Sequence, residues 1–169
     1  IMGPTIIGLP VFVKEILHGD FFHYMLLQTS MATGMIIGAL LVWYLEKYIN
    51  PIRILLCGIV LDGLTYSLLY FVSSYFVAMT VLFIHGIGIP LITVSRTNII
   101  QITVPNQFRG RLFAMIYMAV MGTTAFSIGL TGLALELISE KVLFLLIGIC
   151  AASCVLIGFY YNELLEIVS

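Results

Sequence analysis

The sequence has little charge and few cysteines. Only 9% of its 169 residues are charged, and the net charge is −1, whereas soluble domains have about 25% charged residues. A water-soluble domain is therefore excluded, and so is a nucleic-acid partner, because no basic surface is available to bind a phosphate backbone. Three cysteines are too few for a secreted disulfide scaffold, and they lie in apolar runs, so we expect Cys57, Cys150 and Cys154 to be buried. No metal-ligand or cofactor motif occurs, and we predict neither a metal nor a cofactor.

Long apolar runs are abundant instead. The chain is 62% hydrophobic, with a mean hydropathy of +1.17, and a helix needs about 20 apolar residues to cross a bilayer. The runs do not alternate in polarity as the strands of an outer-membrane barrel do. We predict an all-α, polytopic membrane helical bundle that forms one domain, 1–169. The expected helices are 1–17 (partial, the end of a span), 21–45, 52–72, 76–104, 112–138 and 142–162.

The positive charges indicate the orientation in the membrane. Lys and Arg in short loops are retained on the cytoplasmic side. The expected helices are joined by five connections. The second and fourth connections, with the helix ends beside them, hold five of the Lys and Arg residues, and the other connections, with the helix ends beside them, hold two, Lys14 and Lys141. These two loops and the C-terminus are therefore expected to be cytoplasmic, in a multi-pass protein of the cell membrane. The five charges are Lys47, Arg53, Arg96, Arg109 and Arg111.

Three polar residues lie inside predicted spans. Asp62 is about 15 Å into its helix, where a charge costs about 2.5–3.5 kcal/mol, and it is either a neutral, hydrogen-bonded structural carboxyl or a proton-relay acid. His85 is either an interhelical hydrogen-bonding residue or a proton carrier, since imidazole titrates near neutral pH. Gln28 lies nearer the outer face, where it bridges helices or contacts a ligand. The sequence leaves both interpretations open for each residue.

Small residues and methionines form stripes on two of the predicted helices. Gly34 and Gly38 form a GxxxG pair, which permits close helix contact. In the fifth segment a stripe of small residues faces one direction, and it is flanked by methionines that adapt to irregular apolar shapes. These faces serve either helix packing or an adaptable surface for an apolar ligand. Gly86-Ile87-Gly88-Ile89-Pro90 predicts a kink or hinge in the fourth segment.

Two loop sequences resemble a known family. The run Arg96-Thr97-Asn98-Ile99-Ile100-Gln101, followed by Val104-Pro105-Asn106-Gln107-Phe108-Arg109-Gly110-Arg111-Leu112, resembles the loop between helices ten and eleven of major facilitator superfamily exporters, closest to the macrolide-efflux-like branch. Leu45-Glu46-Lys47 and Arg53 resemble the superfamily's acidic and basic loop motif, with Asn50-Pro51 in place of its glycine region. The resemblance implies the C-terminal half, helices seven to twelve, of a twelve-helix transporter.

The resemblance also implies roles for individual residues. Helices seven, eight, ten and eleven of this fold face a central cavity, and nine and twelve brace it, which puts Asp62 off the path and favours a packing role. The residues expected along the substrate path are Gln28, Met31, Met35, His85, Met118 and Met121. Those expected to gate the cytoplasmic side, or only to fix the topology by charge, are Glu46, Lys47, Arg53, Arg96, Arg109 and Arg111. The proton-coupling residues are expected to be His85 or Asp62.

The expected function is secondary active transport. We predict proton-coupled efflux of amphiphilic or cationic small molecules by alternating access, with the lipid bilayer, a small-molecule substrate and the N-terminal half of the same transporter as partners. Uptake by the same fold, and a membrane scaffold or sensor that transports nothing, are the alternatives. An enzyme is not expected, because no H-E-x-x-H, G-x-S-x-G or paired carboxylate motif occurs.

Overall fold

The computed structural model describes residues 4–160, and of residues 156–160 it describes the backbone only. Every regular element in this range is helical, which confirms the all-α prediction. A π-helical turn (Pro4–Gly8) leads into the short helix α1. Helix α1 is Leu9–Glu15. The further helices are α2 (Phe21–Leu45), α3 (Pro51–Leu69), α4 (Tyr75–Thr103), α5 (Asn106–Leu137) and α6 (Glu140–Tyr160).

Four of these helices, α2 to α5, are long and apolar enough to cross a membrane. The largest difference from the expected boundaries is the start of α5, at Asn106 instead of Leu112. Val104 is extended, as the residue before a proline usually is, and Pro105 then accepts a backbone hydrogen bond from Phe108 at 3.0 Å. The helix begins at once, so Arg109 and Arg111 lie in its first turns and not in a loop. The expected ends at Ile1 and Asn162 lie outside the described residues.

Helix α4 lies at the centre of the bundle, between α2 and α3. Its contact with α2 is made by glycine, as the Gly34/Gly38 pair predicted. A Cβ atom at Gly38 would be 2.5 Å from the carbonyl oxygen of Ile87, and one at Gly34 would collide with the carbonyl oxygen of Phe83. The two backbones therefore touch over a full helical turn.

The Gly86-to-Pro90 segment is also explained by close contacts. A Cβ at Gly86 would collide with the Met31 carbonyl of α2, whereas the Cβ position at Gly88 is 3.6 Å from the Gly58 carbonyl of α3. The segment is part of one continuous helix that runs through Pro90. Gly86 therefore brings α4 close to α2, whereas a Cβ atom at Gly88 would be in ordinary contact with α3.

A second small-residue contact joins α3 to α6. A Cβ atom at Gly63 would be 2.7 Å from the backbone nitrogen of Ala152, and one at Gly148 would be 2.5 Å from the carbonyl oxygen of Gly63. The pairs Gly63/Ser67 and Gly148/Ala152 therefore interlock, although no sequence pattern had indicated this interface.

Helix α5 is separate from this packed group. Thr131 is its only buried residue in the described part of the chain, and its main contact is with the π-helical turn. A Cβ at Gly122, Gly129 or Gly132 would meet no described atom within 4 Å. The glycine face that the sequence predicted is thus left open by the described residues.

The three cysteines are exposed, so the expectation that they are buried was wrong. That expectation came from soluble proteins, in which an apolar side chain gains free energy by leaving water. In a membrane bundle, lipid solvates the outer surface of a helix as well as the core does, and an apolar thiol is stable there.

Candidate functional site

The structure brings Asp62 and His85 together in the interface between α3 and α4. The carboxylate Oδ1 of Asp62 is 3.1 Å from Nδ1 of the His85 ring. The two residues are only 4% and 3% exposed. The sequence placed each of them at mid-span but gave no indication that they form a pair.

Gly58, one helical turn before Asp62, brings α3 close to α4, because a Cβ atom there would be 2.8 Å from Leu91 Cβ and 3.1 Å from the Ile92 backbone nitrogen. The Cβ position at Gly88 is 3.6 Å from the Gly58 carbonyl and 3.7 Å from the Asp62 backbone nitrogen. The backbones of α3 and α4 therefore run side by side at the level of the pair. A Cβ atom fits at Gly88 at these distances, whereas a larger residue at Gly58 would push the two helices apart near the pair.

Thr65 completes the polar part of the cluster. Its Oγ1 is hydrogen-bonded to His85 Nδ1 at 3.1 Å, and the carbonyl oxygens of Leu61 and Asp62, each 2.9 Å away, are alternative acceptors for its one proton. A hydroxyl has one proton and two acceptor lone pairs, so Thr65 donates to a carbonyl when Nδ1 carries a proton and can donate to Nδ1 when it does not. It thus serves both protonation states of the ring.

Tyr66 covers the other side of the histidine. The two ring centroids are 4.8 Å apart and the rings are nearly perpendicular. Its hydroxyl is hydrogen-bonded to Thr5 of the π-helical turn, and its ring contacts Phe144 of α6, with centroids 5.8 Å apart. Neither Thr65 nor Tyr66 was expected at the site. The one available signal was that both lie one helical turn after Asp62.

The arrangement can hold and transfer a proton. An aspartate oxygen and an imidazole nitrogen at 3.1 Å are close enough to share one, and imidazole changes its charge near neutral pH. An ionisable pair in the middle of a membrane helix bundle is expensive to maintain and is by default interpreted as functional. With or without a proton on Nδ1, the His85 ring has Asp62 and Thr65 within hydrogen-bonding distance.

The residues expected along the substrate path are divided between two environments. His85 is buried between α3 and α4, whereas Met35, Met118 and Met121 are exposed on α2 and α5, the last two by 64% and 42%. Met31 is half-buried and packs on the core. The amide of Gln28 donates to the Tyr24 hydroxyl one turn earlier on the same helix, at 2.7 Å, so this bond does not bridge two helices.

Contacts at the basic end of the bundle, where the α2–α3 and α4–α5 connections lie, centre on Glu46. The Asn98 side-chain nitrogen donates to both of its carboxylate oxygens at 2.7 Å. Lys47 lies over the ring of Trp43, 3.8 Å from its centroid. Among the described residues, no ion pair joins Glu46 to an arginine. The observed partner of Glu46 is Asn98, a residue of the loop run for which the sequence predicted no role.

Arg109 ties the start of α5 to the end of α4. Its Nε donates to the Val104 carbonyl at 2.8 Å, and its Nη2 donates to the Gln101 carbonyl. These carbonyls lie at the C-terminal end of α4, where no following backbone N–H of the helix donates to them. The helix dipole also favours a positive charge at this end. Arg53 and Arg111 are exposed and Arg96 is half-buried.

The comparison with known protein families identifies the fold. Residues 2–164 match the family model of the Major Facilitator Superfamily. The chain belongs to the Major Facilitator Superfamily. This family of membrane transporters accounts for a bundle made only of apolar helices, and it agrees with the expectation of a transporter in place of an enzyme.

Individual relatives are more distant. The chain is 27% identical over 108 residues to Macrolide efflux protein A of Streptococcus pyogenes, an alignment that covers 63% of this chain and 27% of that protein. The protein of the same name from Enterococcus faecalis is also 27% identical over 108 residues, with 33% of its length covered. The matched part of the chain thus spans a third or less of these relatives. No solved structure matches the chain.

Proposed function

We propose that the chain is part of a secondary active transporter that exports amphiphilic or cationic small molecules in exchange for protons. The observation that carries this proposal is the buried Asp62–His85 pair, 3.1 Å apart, in a chain of a transporter family. A transporter driven by protons needs a group that takes up and releases a proton inside the membrane. Asp62 and His85 are the proposed proton-coupling residues, acting as a pair.

The open faces of α2 and α5 are the proposed substrate path. Met35, Met118 and Met121 are exposed there, and methionine adapts to apolar molecules of different shapes. Gln28 adds an amide near one end of α2. The missing partner of these faces is, in this proposal, the N-terminal half of the same protein, because the chain matches a third or less of the length of its relatives.

The basic end is the proposed cytoplasmic end, with the C-terminus on the same side. It carries five of the seven Lys and Arg residues, as expected from retention of positive charge inside the cell. Asn98 and Arg109 join α2, α4 and α5 at this end. We infer that these bonds keep the three helices together while the two halves of the transporter move.

Efflux is tested by measuring accumulation of a radiolabelled macrolide in cells that express the full-length protein, with and without a protonophore. We expect accumulation to fall on expression and to rise again with the protonophore. His85→Gln and Asp62→Asn should each raise accumulation to the level seen with the protonophore, because each variant removes one of the two proton-accepting atoms.

A histidine elsewhere provides the matched control. His18 is exposed, and its φ is +50°, a conformation that asparagine tolerates, so His18→Asn should leave efflux unchanged. Higher accumulation on expression would indicate uptake instead of efflux. Accumulation that is the same with and without expression would indicate a protein that transports nothing, and an unchanged His85→Gln variant would contradict the assigned proton site.

A further inference from the structure

Tyr66 contacts both the proton pair and the π-helical turn. Its ring contacts His85 and its hydroxyl bonds Thr5. We propose that Tyr66 is a positioning residue that transmits the protonation state of the Asp62–His85 pair to the π-helical turn, and through that turn to α5. This inference rests on the proposed function, since it says how the same proton site acts on the substrate path.

Tyr66 has little freedom to move independently of its neighbours. It is 3% exposed and belongs to a buried cluster with Phe12 and Phe144. Interiors packed to this density transmit displacement instead of absorbing it. A buried phenol also needs a hydrogen-bond partner, and here that partner is Thr5. A change in the position of the His85 ring therefore displaces Tyr66 and with it the hydroxyl that holds the turn.

The π-helical turn leads directly into the α-helical turns of α1. A π turn has one more residue than an α turn, and it is rare and frequently found at functional sites. Conversion of Pro4–Gly8 to the α-helical register would shift the turn by one residue relative to Tyr66. In this proposal the turn is the two-state element that a coupling between distant sites requires.

The turn also makes the main contact of α5 with the rest of the described chain. Helix α5 carries Met118 and Met121 of the proposed substrate path and is otherwise largely unpacked. A shift of the turn would therefore move α5 without disturbing the tight contacts among α2, α3, α4 and α6.

Among the residues that the structure describes, two ionisable side chains face His85. Asp62 and Tyr66 are both on α3, and Thr65 of the same helix contributes a neutral hydroxyl. The π-helical turn has no ionisable side chain between Pro4 and Gly8, and α6 presents Phe144 to this cluster. A pH dependence at the turn is therefore attributed to the Asp62–His85 pair.

The test places an environment-sensitive thiol fluorophore on the turn of the full-length transporter in proteoliposomes. Ile6 is 53% exposed, so Ile6→Cys is labelled after Cys57, Cys150 and Cys154 are replaced by serine, and Leu137→Cys, at the exposed end of α5, is the reference site. Emission is recorded between about pH 5 and about pH 8, where imidazole changes charge. The variants are His85→Gln, Tyr66→Phe and Thr5→Val, and Tyr70→Phe, at the residue that caps the C-terminal end of α3, is the control.

We expect the emission maximum of the Ile6 probe to change with pH in the parent protein and in Tyr70→Phe, and to be flat in the other three variants. Tyr66→Phe should keep at least half of the maximal transport rate, while its pH profile of transport moves by about half a unit or more. A flat Ile6 signal in the parent would overturn the proposal. So would Tyr66→Phe and Thr5→Val variants that follow the parent.

The two proposals can fail separately. If His85→Gln abolishes protonophore-sensitive efflux but the Ile6 signal does not depend on pH, the proton site is supported and the Tyr66 linkage is contradicted. If the Ile6 signal follows pH through Tyr66 but efflux does not respond to the protonophore, the linkage is supported and proton-driven export is contradicted.

Discussion

Glu46 and Asn98 join the ends of α2 and α4, and their bond depends on a contact across 52 positions of the sequence. Both carboxylate oxygens of Glu46 accept from the one amide nitrogen at 2.7 Å. A hydrogen bond to a charged group is stronger than a neutral one, but both side chains are half-exposed, so water competes with it. Its expected contribution is therefore modest.

Asn98→Ala should lower the free energy of unfolding by about 1 kcal/mol, because Glu46 loses its donor. The measurement is chemical unfolding of the full-length protein in detergent, in a double-mutant cycle. In a Glu46→Ala background the same substitution should cost nothing further. Equal costs in the two backgrounds would show that the bond does not stabilise the protein.

Asp20 caps the opposite end of α2, and its carboxylate makes the stability of the protein depend on pH. The side chain and the backbone N–H of His23 both bond its carboxylate and hold the pKa of Asp20 below its ordinary value of 3.8. Because the pKa is lower in the folded state, the stabilisation is fully present above the unfolded-state value and is lost as the pH falls through the folded-state value.

Asp20→Asn keeps a capping oxygen but cannot titrate. The unfolding temperature of the parent protein should therefore fall relative to that of Asp20→Asn as the pH is lowered below 3.8. The difference between the two proteins is the quantity to measure, because other carboxylates titrate in both. A difference that stays constant on acidification would contradict the assigned cap.

Helix contacts in this bundle depend on where a glycine faces another backbone. Gly34 and Gly38 face α4, and Gly63 and Gly148 face each other across α3 and α6. Lipid gives apolar helices no hydrophobic reason to associate, so close backbone approach is the main source of attraction. The glycines of α5 meet no described neighbour and are not needed for this contact.

Gly38→Ala and Gly122→Ala should have opposite effects on stability. The first places a methyl group 2.5 Å from the Ile87 carbonyl oxygen, and such overpacking costs about 1–3 kcal/mol. The second adds a methyl group in a region without described atoms and favours the helix by about 0.5–1 kcal/mol. Unfolding temperatures of the two variants of the chain produced alone, in which no N-terminal half covers α5, provide the comparison, and a stable Gly38→Ala protein would refute the close α2–α4 contact.

On the scale of the whole molecule, two large apolar surfaces lack a partner among the described residues. On α2, Phe21, Phe22, Ile36 and Trp43 are each at least 65% exposed, and α5 is exposed along nearly all of its length. Lipid contacts one outward face of each membrane helix. In our proposal, the N-terminal half of the protein contacts the open methionine and glycine faces.

The chain produced alone should therefore transport nothing. Reconstituted in vesicles, it should show no saturable, protonophore-sensitive macrolide flux, because alternating access needs two halves around one site. The full-length protein in the same vesicles is the positive control. Saturable flux through the chain alone would show that our assignment of it as one half of the transporter is wrong.

Much of the fold could be predicted from apolar runs, because lipid requires each span to satisfy its own backbone bonds within a helix. The ends of α2 and α4 were predicted within one residue, and the Gly34/Gly38 contact was predicted from its spacing. The early start of α5 was missed because charged residues were assigned to a loop, although an arginine can lie in the first turns of a helix.

Composition and spacing by themselves determined that this protein is a helical membrane bundle, because the length and polarity of a single segment decide whether it crosses lipid as a helix. Which residues meet was decided by the tertiary structure alone. The Asp62–His85 pair, its link through Tyr66 to Thr5 and the bond between Glu46 and Asn98 each join residues 19 or more positions apart. Such contacts depend on the relative rotation and depth of two helices, which side-chain packing sets and which no single segment encodes.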